Sequence, residues 1–191
     1  MNSDFAILFS GLFTANVILS QFLGICSFLG VSKNLRNASG MSAAVAFVLV
    51  LASTISWCIY HLLLIPFHLE HLKTIVFILA IAALVQLVEM FLKKNIPGLY
   101  HNMGVFLPLI TTNCAILGVA LLNVQNNYDL WQSILNSIGT ALGYTMALVL
   151  FSCIRERLEE SDLPNAMKNL PIALITASCM SIAIMGFAGM H

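Results

Sequence analysis

The chain has 191 residues, 60% of them apolar and only 8% charged, and its eight basic and eight acidic side chains cancel to a formal net charge of zero. A soluble domain carries about 45–50% apolar and about 25% charged residues, so this chain lacks the polar surface to coat a globule of its size. Its mean hydropathy of +0.95 makes lipid the expected solvent, and with no basic cluster interleaved with aromatics, nucleic acid is set aside as a partner.

From the N-terminus, residues 5–31 form the first apolar element. Its flank "MNSDF" has no basic n-region, Asp4 stands where a signal peptide carries Lys or Arg, and no clear small-x-small cleavage site follows, so it reads as a permanent span. Further apolar elements follow at 41–65, 74–92, 99–123, 131–154 and 171–190. Crossing a hydrocarbon core of about 30 Å takes about 20 such residues. The joints "SKNLRNASG", "HLEHLK", "KKNIPG" and "RERLEESDLPNAMKN" separate them and leave no room for a soluble domain between spans. The expected fold class is an all-α membrane protein with six transmembrane helices in one integral membrane domain, 1–191. Lys33, Arg36, Lys93, Lys94, Arg155, Arg157 and Lys168 follow spans one, three and five, against Lys73 alone on the other side. Since the positive-rich side faces the cytoplasm, both termini are expected on the non-cytoplasmic side.

The pattern Cys-x-x-Leu-Gly-Val occurs twice, as "CSFLGV" at 26–31 and "CAILGV" at 114–119, which pairs span one with span four. With a shift of eleven residues, "LVLAS" at 49–53 pairs with "LVLFS" at 148–152 and Gly40 with Gly139, joining spans two and five, while 74–92 and 171–190 share little identity. An internal duplication is predicted, with repeat one about 1–95 and repeat two about 96–191. Three spans per unit is an odd number, so the second unit enters the membrane from the opposite side, as an inverted repeat. Folds of this kind place their sites near the midplane on discontinuous helices, and breaks are predicted in the first and fourth helices. Gly24 and Gly30 bracket Cys26, Pro108 and Gly118 flank Cys114, and "TTN" at 111–113 offers side chains to freed backbone groups. Unwound backbone at that depth has to be buried in protein.

Five cysteines, an odd number without the loop context of secreted domains, do not read as a disulfide framework. Cys58, Cys153 and Cys179 read as small packing residues. Cys26 and Cys114 differ, because the duplication puts a thiol at the same point of both units beside glycines that let backbone approach a bulky group. As ligands in a low-dielectric setting they favour a soft centre, whether an iron–sulphur cluster, zinc or copper(I). Two thiolates are half of a four-cysteine site, so a second membrane subunit is the economical source of the rest, and backbone N–H groups at helix N-termini would compensate negative charge.

Glu89 reads as an interfacial partner of Lys93 one turn on, and Asn16 and Gln86 as amides that hold helices together. His61, His68 and His71, with Glu70 the one neighbouring carboxylate, are spaced poorly for a metal and read as an exposed loop. No nucleophile–base pair, phosphate loop or dinucleotide fingerprint is present, so the chain is not an evident catalyst alone. A redox-silent secondary transporter, ion channel or scaffold subunit on the same inverted repeat accounts for the duplication and the charge bias but leaves the paired thiols without a role.

The segments "QFLGICSFLGVSKN" at 21–34, "LVQLVEM" at 84–90, "FLPLITTNCAILGVALLN" at 106–123, "IRERLEESDLP" at 154–164 and "ALITASCMSIAIMGFAG" at 173–189 closely resemble the A-type subunits of the bacterial Rnf ion-translocating electron-transport complexes, over nearly the whole chain. The E subunit of the sodium-pumping NADH:quinone reductase shares both cysteine motifs but typically has a longer connection in place of "PFHLEHLK". The resemblance implies a protein of the bacterial cytoplasmic (inner) membrane, paired with a homologous E-type subunit of opposite orientation, the two holding a [2Fe–2S] cluster within the bilayer. It also implies partner subunits of B, C, D and G type that carry the flavins and the NAD site, with electron flow between ferredoxin and NAD coupled to Na⁺ or H⁺ movement. Some relatives instead keep a redox-sensing regulator reduced. Cys26 of "LGIC" and Cys114 of "TTNC" match the family's ligand positions. Around them Gly24, Gly30, Thr112, Asn113 and Gly118 are expected to shape the cage, with hydrogen bonds to sulphur tuning its potential.

Overall fold

The computed structural model describes residues 2–14, 16–64, 72–95, 109–110, 113–159 and 169–188. Most of the expected joints "HLEHLK", "KKNIPG" and "RERLEESDLPNAMKN" lie outside them, as do Pro108, Thr111 and Thr112. Every element among the described residues is helical: α1 (Asn2–Phe9), α2 (Ile25–Val31), α3 (Leu35–Ile59), α4 (Lys73–Asn95), α5 (Cys114–Gln125), α6 (Leu130–Glu159) and α7 (Leu170–Ala188), with π-helical turns at Ser10–Thr14 and Tyr60–Leu64.

The first apolar element is broken, as its glycines suggested. Backbone from 16 to 24 is not helical, and Phe22 (φ 56°) and Gly24 (φ 85°) take left-handed conformations that a right-handed helix cannot continue. Val17, Ile18 and Leu19 are nonetheless buried, so the freed polar groups need protein partners. The Ser20 N–H donates to Asn16 O at 2.8 Å and the Leu23 N–H to Val17 O at 3.0 Å. Ser181 Oγ on α7 donates to Leu19 O at 2.6 Å. Asn16 Nδ2 donates to Gly143 O on α6 at 3.0 Å, while its Oδ1 accepts from the Ile18 N–H at 3.2 Å. Asn16 thus fastens helices together, as its depth implied. Gln86 does not, because it is exposed on α4.

Helix α3 begins at Leu35, six residues before its expected start, so "LRNASG" is helix rather than joint. Ala38 and Met41, both at 0% exposure, carry the buried face into this stretch, and that burial outweighs the cost of Gly40, about 1 kcal/mol in a helix interior. At its far end α3 runs into the second π turn, which places His61 on a helix, exposed and stacked on Trp57 with ring centroids 4.2 Å apart, rather than in a loop. His68, His71 and Glu70 lie outside the described residues, as do the side chains of Glu89 and Lys93.

Two apolar stretches, Leu35–Leu62 of 28 residues and Leu130–Leu158 of 29, contain 18-residue windows of mean hydropathy 2.1 and 1.7 and are long enough to cross a bilayer. Ser53 Oγ near the end of α3 donates to Ser133 O near the start of α6 at 3.4 Å, so the two run antiparallel, and they form the most extensive helix pairing. A polar seam draws in α5. Asn123 Nδ2 donates to Ser53 Oγ at 2.8 Å, and Asn136 Nδ2 to Asn123 Oδ1 at 2.7 Å. Outward-facing Phe47, Leu79, Trp131, Leu142 and Ile182 are each at least half exposed, an apolar exterior suited to lipid.

The spacing Gly139-x-x-x-Gly143 on α6 brings α1 and its π turn close. A Cβ at Gly139 would stand 2.7 Å from Leu8 O, and one at Gly143 would stand 2.8 Å from Leu12 O. Since the obstacle is backbone, Gly139→Ala is expected to lower stability by about 1–3 kcal/mol, the cost of overpacking a tight interface. Gly186→Ala on α7, where nothing lies within 4 Å, is expected to be neutral or mildly stabilising. Thermal unfolding of the two variants in detergent checks the contrast.

Candidate cofactor site at the paired cysteine motifs

Both motif cysteines sit in the first turn of a helix. Cys114 opens α5, whose cap is Asn113: its Oδ1 accepts from the Ala115 N–H at 3.1 Å. Cys26 is the second residue of α2, capped by Gly24, which makes no side-chain bond. The break before α2 and the start of α5 meet, for the Gly24 N–H donates to Cys114 Sγ at 2.9 Å across 90 residues of sequence. A Cβ on Gly24 would stand 3.1 Å from Ala115 Cβ and 3.2 Å from Asn113 Oδ1. Only glycine combines that approach with φ 85° at little cost.

The packing is reciprocal. Leu23 of the first motif lies directly over Gly118 of the second, and Leu109, just before the second motif, lies over Gly30 of the first, 3.6 Å from where a Cβ would be. Cys26 is exposed and Cys114 half-buried, so the sulphurs stand at an accessible edge of the fold. Asn113 is 3% exposed, and among the described residues its Nδ2 reaches no partner at hydrogen-bond distance, although it faces the Tyr144 hydroxyl; a buried donor therefore stands beside Cys114. Of the expected site residues, Cys26, Cys114, Gly24, Gly30, Asn113 and Gly118 come together here, and Thr112 lies outside the described residues. Among the described residues no three His, Cys, Asp or Glu side chains gather. Cys58, Cys153 and Cys179 are free thiols on the exterior rather than packed in the core.

Three residues that sequence reasoning missed hold the site. Tyr144 of α6, 1% exposed, bonds Ser27 through hydroxyl oxygens 2.9 Å apart, and its hydroxyl also faces the Asn113 amide, with Cys26 and Cys114 nearby. Ser27 Oγ donates to Gly24 O at 2.9 Å. Arg155, also on α6, belongs by sequence with the cytoplasmic charges but is 5% exposed, and its Nη1 donates to Leu29 O at 2.9 Å and Ser32 Oγ at 2.8 Å at the end of α2. A Tyr in mid-span was the available signal, since its hydroxyl needs a partner when buried. Nothing in the sequence separated Arg155 from the interfacial Arg157.

The model of the Rnf-Nqr subunit family of membrane proteins matches residues 5–191. The chain belongs to that family. It is 57% identical over 184 residues to the A-type subunit of the Na⁺-translocating ferredoxin:NAD⁺ oxidoreductase complex of Acetobacterium woodii, covering 96% of each chain. It is 50% identical over 190 residues to the A-type subunit of the ion-translocating oxidoreductase complex of Syntrophotalea carbinolica, covering 100% of this chain and 98% of the relative. The relative of that same name in Methanosarcina acetivorans is 48% identical over 188 residues, with 98% and 94% covered.

The geometry separates the motif glycines. Gly24→Ala places a side chain in a left-handed backbone against two neighbours and is expected to lower stability markedly, with about 1–2 kcal/mol from the backbone alone. Gly30→Ala meets only ordinary contact and is expected to be tolerated. Arg155→Met strips two charge-assisted bonds from the end of α2, which are worth about 1.5–3 kcal/mol each. Unfolding temperatures of the three variants are expected to separate Gly24→Ala and Arg155→Met, both lowered, from Gly30→Ala, close to the parent.

Proposed function

We propose that this chain is a membrane subunit of an Rnf-type ion-translocating oxidoreductase complex, and that Cys26 and Cys114 supply two of the four ligands of a [2Fe–2S] cluster completed by a homologous subunit. The observation that carries the reading is the convergence of the two motifs at the Gly24–Cys114 bond, which sets two thiols at an accessible edge. The residues fit such a group. Thiolates are the donors iron–sulphur centres take, the Gly24 N–H already points at one sulphur, and the buried Asn113 Nδ2, which faces the Tyr144 hydroxyl, is a donor of the sort that stabilises negative charge on sulphur. Relatives named as subunits of ferredoxin:NAD⁺ and ion-translocating oxidoreductase complexes support the assignment to that type of complex.

When bound, the cluster supplies reversible one-electron storage inside the hydrocarbon layer, which no side chain of the described residues offers. The protein's own contribution is positional. Helix α5 turns the N–H groups of its first turn toward the charge on Cys114, the breaks bring backbone to sulphur distance, and the buried surround keeps water from the inner side. In this reading the chain folds as six spans in two inverted three-helix units, which the first-turn placement of both cysteines and the reciprocal Leu–Gly packing favour. Both termini face away from the cytoplasm, the missing ligands come from an E-type subunit of opposite orientation, and subunits of B, C, D and G type carry the flavins and the NAD site. The chain is an electron carrier within the assembly and not a catalyst on its own.

Cys26→Ser and Cys114→Ser are each expected to abolish the reducible intramembrane centre, read as loss of its electron paramagnetic resonance signal and of about two iron atoms per purified complex, with the complex still assembled on native gels. Full iron content and an unchanged signal in both variants would reject the ligand assignment and leave a redox-silent transport or scaffold role.

A further inference from the structure

We infer that Tyr144 is a positioning residue for the cluster site: through Ser27 it fixes the Gly24 backbone whose N–H donates to Cys114 Sγ, and it thereby sets the hydrogen bonding, and so the reduction potential, at that sulphur. The inference rests on the cluster reading above and deepens it.

Proton counting gives the chain its direction. Ser27 has a single hydroxyl proton and donates it to Gly24 O at 2.9 Å. In the 2.9 Å contact between Ser27 Oγ and Tyr144 Oη the donor is therefore Tyr144. The sequence of bonds is Tyr144 O–H to Ser27 Oγ, Ser27 O–H to Gly24 C=O, and Gly24 N–H to Cys114 Sγ at 2.9 Å. Both hydroxyl side chains are buried, with Ser27 at 0% and Tyr144 at 1% exposure, so water does not replace a lost link.

The Gly24 carbonyl and its N–H belong to different peptide units, so the effect is mechanical rather than a relay of polarisation. Ser27 Oγ, together with the Phe28 N–H at 3.1 Å, holds the Gly24 carbonyl and so the peptide plane that follows Gly24; with that plane fixed, the backbone at φ 85° and ψ 15° aims the Gly24 N–H at the sulphur. Tyr144 in turn holds Ser27 in the required rotamer. The Tyr144 ring completes the socket, with Cε2 3.5 Å from the place a Gly24 Cβ would occupy. Helix α6 is a rigid base for the task, since Phe151 stacks on Phe28 at 4.2 Å and Arg155 holds the far end of α2. An N–H donor on a ligand sulphur favours the reduced, more negative cluster, so loosening it lowers the potential.

The test uses the purified complex with Tyr144→Phe, which keeps the ring and removes only the hydroxyl, and with Ser27→Ala as a second variant. Redox titration followed by electron paramagnetic resonance is expected to show retained iron, a midpoint shifted to lower potential in both variants, and no larger shift in the double variant than in the stronger single one. Amide hydrogen exchange at Gly24, resolved by mass spectrometry, is expected to quicken at least tenfold in each. A midpoint, spectrum and Gly24 exchange rate all equal to the parent's in Tyr144→Phe would overturn the proposal. If the parent complex has no reducible centre at Cys26 and Cys114, the cluster reading falls by itself. Gly24 exchange then decides whether Tyr144 positions the glycine: quickening supports that role, and an unchanged rate overturns it.

Discussion

The bond from the Gly24 N–H to Cys114 Sγ is the constraint on which the rest of the site depends. It joins two stretches of chain 90 residues apart, and a backbone donor reaches a sulphur on another helix only if its own helix is interrupted. The left-handed residues Phe22 and Gly24 make that interruption. A left-handed Phe is strained by roughly 1–3 kcal/mol, and such strain persists where the surroundings over-determine it. Here Asn16, Ser181 and the packed residues Val17 to Leu19 do so.

One helix supplies most of that determination. Along α6, Gly139 and Gly143 admit α1 and its π turn, the Gly143 carbonyl receives Asn16, Tyr144 binds Ser27, Phe151 stacks on Phe28, and Arg155 closes the end of α2. The whole first segment is therefore registered against a single long element that is itself anchored to α3 by extensive packing. Placing a site's supporting contacts on a rigid helix holds the sulphurs more tightly than loops do. It also explains why irregular backbone is tolerated deep in the fold: its polar groups find partners on α6 and α7 rather than facing lipid.

Much of this was legible in the residues. Composition alone selected lipid as solvent, the repeated Cys-x-x-Leu-Gly-Val marked the break before α2 and the start of α5, and Gly24, Gly30, Asn113 and Gly118 all stand at the paired motifs. The start of α3 was misjudged because "SKNLRNASG" has the composition of a joint, whereas Ala38 and Met41 are buried by partners distant in sequence. Tyr144, Ser27 and Arg155 escaped notice for a related reason. Their roles come from the face of α6 that meets α2, and no spacing within either segment announces that contact. Gln86 failed in the opposite sense, since an amide within an apolar helix says nothing of which side it faces.

The most direct test of the convergence is an electron cryo-microscopy map of the intact, iron-replete complex at a resolution that separates side chains. The account predicts one compact metal density in contact with the sulphurs of both Cys26 and Cys114 and with two sulphurs of a second membrane subunit, with the Gly24 amide directed at Cys114. A map in which either sulphur lies against lipid or protein with no metal beside it, while the other centres of the complex are filled, would contradict it.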